Sequence, residues 1–195
     1  MSKLLCVGLL VLAIKPTTRN SASRWPSRTL LKGIRLFATD VDGVLTDAGM
    51  YYSESGDEWK KFNTRDGMGI KLLQRAGLIT AIVTQERTRL VARRAEKLAI
   101  PELHQGVMDK LSVIRDMATR HGLSLREVAY IGDDVNDIEA LQAVGFSAAP
   151  ADGLPQVLKV VDYVCRQKGG EGAVRELAEM ILLSHPGSKN TNKWR

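Results

Sequence analysis

The sequence predicts an α/β fold: a doubly wound parallel sheet with helices on both faces and a β-hairpin flap. Short apolar runs rich in β-branched residues alternate with segments of helical periodicity along most of the 195 residues. Repeated strand–helix units indicate βαβ connections and a parallel sheet that is covered on both faces. In such sheets, ligands bind beyond the carboxyl ends of the strands.

Five strands and five helices are predicted in the body of the chain. The strands are RLFATDV (35–41), ITAIVT (79–84), VAYIG (128–132), GFSAAP (145–150) and DYVC (162–165). The helices lie at 66–76, 87–98, 110–120, 136–143 and 171–183. The segment GMYYSESGDEWKKF (49–62) breaks this alternation, because its two β-like arms flank a turn with glycine and predict a hairpin. We expect this hairpin over the carboxyl edge of the sheet, as a flap or an oligomer contact.

The ends of the chain differ in composition from its body. Residues 1–39 contain seven Lys or Arg and no acid, and 184–195 contain three more basic residues, which leaves 18 basic and 22 acidic residues between these ends. The body is therefore acidic, and it has no basic stripe with interleaved aromatic residues that would predict nucleic-acid binding. We expect one domain over 34–184, an N-terminal extension over 1–33 and a disordered tail over 185–195.

The N-terminal extension has three open interpretations. It begins with the apolar run LLCVGLLVLAI and continues as an acid-free segment rich in Ser and Arg. A secretory signal, an organelle transit segment and a disordered extension all fit this composition. An apolar run of 11 residues is too short to span a bilayer, so we expect no stable membrane anchor. The two cysteines form no disulfide framework, and we expect a cytoplasmic protein unless the extension directs it elsewhere.

Polar residues that can carry chemistry follow the predicted strands. Asp40 and Asp42 come after the first strand on the same face, where two close carboxylates favour a divalent cation or a shared proton. Asp133 follows VAYIG and would complete a magnesium site of oxygen ligands. Thr84 and Lys110 add a hydroxyl and an ammonium that can bind phosphate oxygens. The set predicts phosphoryl transfer through an aspartyl-phosphate.

These residues resemble the motifs of the haloacid dehalogenase superfamily of phosphohydrolases. DVDGVLTD resembles its first motif, Thr84 its second, Lys110 its third and GDDVND its fourth. The resemblance covers about 34 to 184 and is closest to a capless subgroup that cleaves 3-deoxy-ulosonate phosphates. That subgroup is matched by KKFNTRDGMGIKLL, GVMDKL, AYIGDDVND and GGEGAVRE. It implies a Rossmann-like fold without a cap domain.

The resemblance also implies a role for each motif residue. Asp40 would be the nucleophile, and Asp42 the general acid that protonates the leaving sugar oxygen and later activates water. Magnesium would be held by Asp40, the backbone carbonyl of Asp42, and Asp133. Thr84 and Lys110 would bind the phosphoryl oxygens.

Residues around the fourth motif and the tail would support this site. Asp137 would orient Lys110, and Asp134 would lie behind the metal ligands rather than bind the ion directly. Asp66 either caps a helix or lies close to the site. The segment GGEGAVRE, with Arg175, fits a loop that closes over an anionic substrate, and in similar phosphatases this tail belongs to a neighbouring subunit of a homotetramer.

The expected substrate is a sugar-acid phosphate, with two chain lengths open. Gln85 stands where the subgroup usually has Gly or Ser, and Glu86, Arg94 and Lys97 resemble the pattern of enzymes for nine-carbon 9-phosphates such as 2-keto-3-deoxynononate (KDN) 9-phosphate. Glu86 can accept hydrogen bonds from sugar hydroxyls, or simply favour the start of a helix. The alternative substrate is 3-deoxy-D-manno-octulosonate 8-phosphate, used in lipopolysaccharide biosynthesis. A non-catalytic oligomerisation module, like that attached to sialate cytidylyltransferases, is the alternative of another class.

Overall fold

The computed structural model describes residues 28–185, so the predictions for 1–27 and 186–195 lie outside the described residues. The described part begins with helix α1 (Arg28–Lys32). Leu31 and Ile34 are both buried in the core. Packing therefore begins a few residues before the domain boundary predicted at residue 34.

Six parallel strands form the main sheet, one more than the five that the sequence predicts. They are β1 (Leu36–Thr39), β4 (Ile79–Thr84), β5 (Glu102–Gln105), β6 (Val128–Ile131), β7 (Phe146–Ala149) and β8 (Tyr163–Val164). Their order across the sheet is β5-β4-β1-β6-β7-β8. In the register, Thr39 is aligned with Ile82 of β4 and Ile131 of β6. The residues that follow these central strands therefore meet at one edge.

Helices cover both faces of this sheet and build a core on each. The longer helices are α2 (Thr64–Arg75), α3 (Arg89–Leu98), α4 (Lys110–Arg120) and α7 (Ala173–Ser184), and the shorter ones are α5 (Ile138–Ala143) and α6 (Pro155–Leu158). Phe37 of β1 packs with α1, α2, α3 and α7, whereas its neighbours Leu36 and Ala38 pack with α4, α5 and α6. This alternation of side chains along β1 is the expected result of burying a strand on both faces. The predicted doubly wound fold is confirmed.

A small hairpin follows β1. Its strands β2 (Tyr51–Tyr52) and β3 (Glu58–Trp59) pair antiparallel around the turn predicted at Ser53–Asp57. Tyr51, Tyr52 and Trp59 are 48%, 70% and 59% exposed, so this hairpin presents aromatic side chains on its surface. A single bridge between Thr46 and Phe62 ties the base of the hairpin to the loop after β1.

The structure differs from the prediction at a few elements. β5 was not predicted, because ELHQ is polar and only half-buried at the edge of the sheet. α2 begins at Thr64 rather than 66, since the side chain of Asn63 caps it by accepting the N–H of Arg65 at 2.8 Å. α3 begins at Arg89 because Thr88 caps it. Within residues 28–185, none of the helices has the length and apolar character needed to cross a bilayer.

Candidate active site

Asp40 lies immediately after the central strand β1 and is 5% exposed. Its N–H donates to the carbonyl of Ile131 at 3.0 Å, which extends the pairing of β1 with β6 by one residue. The chain then turns sharply, because the N–H groups of Val44, Leu45 and Thr46 all donate to the carbonyl of Val41. The turn leaves the Asp40 carboxylate at the carboxyl edge of the sheet.

Lys110 is a buried cation at this edge. It is the first residue of α4, and its Nζ lies 2.9 Å from Oδ2 of Asp40 and 2.6 Å from Oδ1 of Asp137. Burial acts to lower the pKa of Lys110, but the carboxylates of Asp40 and Asp137 outweigh it, and the net shift is upward. Lys110 is therefore a fixed positive charge beside Asp40.

Asp137 organises the loop that follows β6. Its Oδ1 accepts the hydroxyl of Tyr130 at 2.5 Å in addition to Lys110, and its Oδ2 accepts the N–H groups of Asp133 and Asp134 at 3.0 and 3.2 Å. The carboxylate of Asp134 is turned to its own helical turn, where it accepts the N–H of Val135. Both oxygens of Asp137 are thus occupied by protein donors, and the exposed Asp134 stays a predicted supporting residue.

Three carboxylates approach closely enough to hold a metal ion. One oxygen each from Asp40, Asp133 and Asp137 lies within 4.8 Å of the others. Oδ1 of Asp40 and Oδ1 of Asp133 are buried and have no hydrogen-bond partner among the described residues. Since both oxygens of Asp137 already accept hydrogen bonds, Asp40 and Asp133 are the side chains left to ligate. Two unpartnered, buried carboxylate oxygens are the donor set that magnesium prefers, so the site fits this ion.

Electrostatics also favour a cation at this position. Burial, and then the charge of Asp137, raise the pKa of Asp40 to about 7, although Lys110 opposes this shift. Burial, and then the charge of Asp40, raise the pKa of Asp133 to about 8. Burial and mutual repulsion disfavour the ionised forms of these carboxyl groups, so a further cation at this position would stabilise them.

Gly43 allows Asp133 to reach the cluster. It adopts a φ of +83°, and a Cβ at this position would lie 2.0 Å from Oδ2 of Asp133. Any side chain here would displace the Asp133 carboxylate. Gly43 is not among the predicted site residues. A glycine directly after the two acids could have indicated it, because glycine allows another group to come close to the backbone.

Asp42, Glu86 and Lys60 form a second charged group at the same edge. Nζ of Lys60 lies 2.7 Å from Oδ1 of Asp42 and also contacts Oε2 of Glu86. The side chain of Lys60 has no exposed surface. Lys60 is not among the predicted site residues. The alternation of the hairpin arm could have indicated it, since Trp59 and Lys61 are exposed and Lys60 faces the other way.

Thr84 ends the neighbouring strand β4, and Gln85 follows it. Thr84 is buried, and its hydroxyl accepts the N–H of Glu86 at 3.3 Å. The Gln85 side chain is exposed and bridges two loops, since it donates to Sδ of Met108 at 3.5 Å and accepts from Asn136 at 2.9 Å. The structure thus brings the predicted second-motif residues to the edge that carries Asp40 and Lys110.

Arg94 and Lys97 are not brought to this edge within the chain. Helix α3 starts at the edge with Thr88 as its cap and runs away from it, so Lys97 lies roughly 13 Å along the axis. The Arg94 guanidinium instead donates to the carbonyl of Asn63 at 2.8 Å and lies over the ring of Phe62. Lys97 is exposed on the last turn. Their prediction as substrate-binding residues requires a neighbouring chain.

Asp66 and Arg175 join two helices rather than line the metal site. Oδ1 of Asp66 accepts the N–H of Arg175 at 2.8 Å, and Oδ2 accepts the N–H of Gly172 at 3.2 Å. Asp66 therefore caps the N-terminus of α7, although it stands in the first turn of α2. Burial raises its pKa, and these backbone donors oppose the shift. The Arg175 side chain pairs with Glu179 at 2.7 Å on α7.

The glycine loop before α7 packs on its own chain. The N–H of Gly170 donates to the carbonyl of Val44 at 2.9 Å, and its carbonyl accepts the amide of Asn63 at 3.1 Å. A Cβ on Gly169 would lie 1.9 Å from the carbonyl oxygen of Gly43. The loop thus supports the turn that carries Asp42, from within the same subunit.

Known proteins are similar to this chain in sequence. A family model described as a haloacid dehalogenase-like hydrolase matches residues 96–177. The chain is 44% identical over 151 residues to a 3-deoxy-D-manno-octulosonate 8-phosphate phosphatase of Yersinia pestis, which covers 77% of this chain and 81% of that protein. This chain belongs to the haloacid dehalogenase-like hydrolases. The enzyme of the same name from Escherichia coli K12 is 40% identical over 153 residues, with 78% of this chain and 81% of that protein covered.

Solved structures of haloacid dehalogenase-like hydrolases agree with the fold described above. A crystal structure of 3-deoxy-D-manno-octulosonate 8-phosphate phosphatase from Moraxella catarrhalis, in complex with a magnesium ion, a phosphate ion and a KDO molecule, has a TM-score of 0.82. The two chains are 38% identical, and the matched part covers 85% of this chain and 95% of the Moraxella catarrhalis chain. The predicted family, fold and enzyme class, a phosphoric monoester hydrolase without a cap domain, are confirmed.

Proposed function

We propose that this hydrolase is a magnesium-dependent phosphatase that removes the terminal phosphate of 3-deoxy-D-manno-octulosonate 8-phosphate. The observation that carries the proposal is the cluster at the carboxyl edge, where Asp40 contacts Lys110 and shares a cation site with Asp133. The names of the relatives support the eight-carbon substrate over the nine-carbon one that Glu86 and its neighbours predict from sequence.

Asp40 and Asp133 would hold magnesium through their unpartnered oxygens, with the backbone carbonyl of Asp42 as the further protein ligand that the resemblance implies. When bound, the ion supplies positive charge that lets a phosphate dianion approach these carboxylates. Lys110 contributes a second fixed charge beside Asp40 and is anchored by Asp137. Together they stabilise charge on the phosphoryl oxygens in the transition state.

The first step forms a bond between an oxygen of Asp40 and phosphorus, while the bond from phosphorus to the sugar oxygen breaks. Asp42 gives its proton to that leaving oxygen, so the sugar departs as a neutral alcohol. In the second step Asp42 accepts a proton from water as the water attacks the aspartyl-phosphate. The bond to Asp40 breaks, phosphate is released, and both carboxyl groups return to their first state.

A nine-carbon 9-phosphate is the second candidate substrate. Glu86 favours it, because its carboxylate is held by Lys60 directly beside Asp42, on the side where we place the leaving sugar. A longer sugar acid has further hydroxyl groups, and this carboxylate can accept hydrogen bonds from them. Arg94 and Lys97 can help to bind this nine-carbon substrate only if a neighbouring subunit supplies them.

A panel of sugar phosphates tests the substrate assignment. We expect the highest kcat/KM with 3-deoxy-D-manno-octulosonate 8-phosphate and lower values with nine-carbon 9-phosphates. In Glu86→Gln, the ratio of the two efficiencies should move against the nine-carbon substrate by at least about tenfold if Glu86 binds its hydroxyls. A higher efficiency for the nine-carbon phosphate in the wild type would replace the proposed substrate with the second candidate.

The same assay addresses the non-catalytic alternative. An oligomerisation module would release no phosphate from any ester, including a reactive aryl phosphate in the presence of magnesium. The intact carboxylate cluster and the phosphatase relatives support an enzyme.

A further inference from the structure

Lys60 is a buried charge that the proposed mechanism does not use. It follows β3 at the end of the hairpin, and its side chain has no exposed surface. Its ammonium contacts Asp42, which follows β1, and Glu86, which follows β4. One residue of the flap thus joins two loops of the carboxyl edge.

Stability does not explain this arrangement well. Removing an ammonium from water is costly, and pairing it with carboxylates repays that cost only when geometry and further hydrogen bonds are favourable. Apolar side chains could pack there as well only if the two carboxylates were replaced together with the lysine. What the ion pair adds is a fixed direction for the carboxylates that it binds.

Asp42 is the carboxylate whose direction matters. Its Oδ1 lies 2.7 Å from Nζ of Lys60 and 3.4 Å from the hydroxyl of Thr46, which shares its one proton with the carbonyl of Val41 at 3.3 Å. Across residues 28–185, no hydrogen bond to Oδ2 of Asp42 is present. One oxygen is therefore tethered on two sides, and the other is left for the proton that Asp42 gives and takes.

We infer that Lys60 is a positioning residue, which holds Asp42 by Oδ1 so that Oδ2 faces the leaving oxygen of the substrate. The inference rests on the proposed function, because it takes Asp42 to be the general acid. Lys60 also holds Glu86 beside that oxygen. This one hairpin residue therefore positions both the proton donor, Asp42, and the carboxylate next to it, Glu86. Among the described residues its ionic contacts are with Asp42 and Glu86, so it acts on the reaction through them.

The consequence is a selective loss of proton transfer. A sugar alkoxide is a poor leaving group and needs the proton of Asp42, whereas dinitrophenolate leaves without one. Misplacing Asp42 should therefore slow the cleavage of a sugar phosphate and leave the cleavage of 2,4-dinitrophenyl phosphate nearly unchanged. Damage to the Asp40 site would slow both equally.

Lys60→Met tests this with Lys61→Met as its matched control, since Lys61 is adjacent, exposed and paired with Asp47. Single-turnover rates of alcohol release isolate the first step. We expect Lys60→Met to slow release from the sugar-acid phosphate by about 100-fold with little change in KM, and release of dinitrophenol by less than about threefold. Lys61→Met should change neither rate by more than about twofold.

Equal losses with both substrates, or no loss with the sugar phosphate, would overturn the positioning role. If Lys60→Met fails to fold because Asp42 and Glu86 then repel each other, the double variant Lys60→Met/Glu86→Gln removes that repulsion and should show the same selective loss. If the wild type cleaves no sugar-acid phosphate, the proposed function fails. In that case a simple alkyl phosphate takes the place of the sugar-acid phosphate in the comparison with 2,4-dinitrophenyl phosphate. This comparison still decides the role of Lys60.

Discussion

Nζ of Lys110 lies 2.9 Å from Oδ2 of Asp40, while Oδ1 of Asp40 is buried without a partner in the described part of the chain. The protein thus pairs one oxygen of this carboxylate with a cation and leaves the other oxygen without a partner. Lys110 fixes one of them, and its own position is fixed by Asp137 at 2.6 Å. The other is available for a cation, which gives Asp40 a defined orientation before substrate arrives.

Asp40→Asn should abolish turnover and keep the fold. The amide matches the carboxylate in shape but is not a nucleophile, so phosphate release should fall below about a hundredth of the wild-type rate. Melting temperature should not fall, because the substitution removes one of several buried carboxyl groups that repel each other. Phosphate release and thermal unfolding, measured on the same sample, check both statements. Substantial residual activity would show that another residue attacks phosphorus.

The carboxyl-edge residues were predictable because strand order alone brings them together. Asp40 and Asp133 follow apolar strands, Thr84 ends one, and parallel strands end at a common edge. Lys110 was predictable only together with these residues, since a lysine at a helix start carries no chemistry by itself. The family resemblance placed Asp137 beside it.

Residues that depend on helix packing were not predictable in the same way. Asp66 stands in the first turn of α2, yet it caps α7, which is more than 100 residues later in the chain. Arg94 is bound by the segment before α2, a contact that requires the relative position of two helices. Lys60 was overlooked because a second lysine stands beside it, and only the alternation of the hairpin arm separates the buried Lys60 from the exposed Lys61.

Magnesium should stabilise the protein, and more so at high pH. In the metal-free protein the pKa values of Asp40 and Asp133 are raised to about 7 and about 8, so the folded state holds protons that the unfolded state releases near pH 4. Stability without metal should therefore decline as pH rises from about 4 to about 8. The ion binds the deprotonated carboxylates, so its stabilising effect should grow over the same range.

Thermal unfolding at pH 5.5 and pH 8, with magnesium or with a chelator, measures this dependence. The melting temperature should respond to magnesium more strongly at pH 8, and activity should require the ion throughout. Asp133→Asn is the control, because it removes one ligand and should weaken the response at both pH values. Full activity in excess chelator would contradict the proposed metal requirement.

The enzyme should assemble as a homotetramer. The exposed aromatic residues Tyr52 and Trp59 stand on the hairpin, and without a cap domain the site needs a neighbouring chain to cover it. Light scattering on the purified protein should give four times the monomer mass. Tyr52→Ser/Trp59→Ser should shift the protein to smaller species and lower its activity. A fully active monomer would show that no neighbour is needed.

Gly43→Ala should disable the metal site through a single methyl group. The added Cβ would lie 2.0 Å from Oδ2 of Asp133, so the carboxylate must move away from Asp40. We expect at least about a tenfold rise in the magnesium concentration needed for half-maximal activity, the effect of about 1.4 kcal/mol on binding. Gly77→Ala is the matched control, since Gly77 has a φ of +86° and a Cβ there would meet nothing within 4 Å. Both variants should lose about 1 kcal/mol of stability from a left-handed alanine, and only Gly43→Ala should lose metal affinity. Equal magnesium titrations for the two variants would mean that Asp133 can shift without cost, and that it does not ligate the ion.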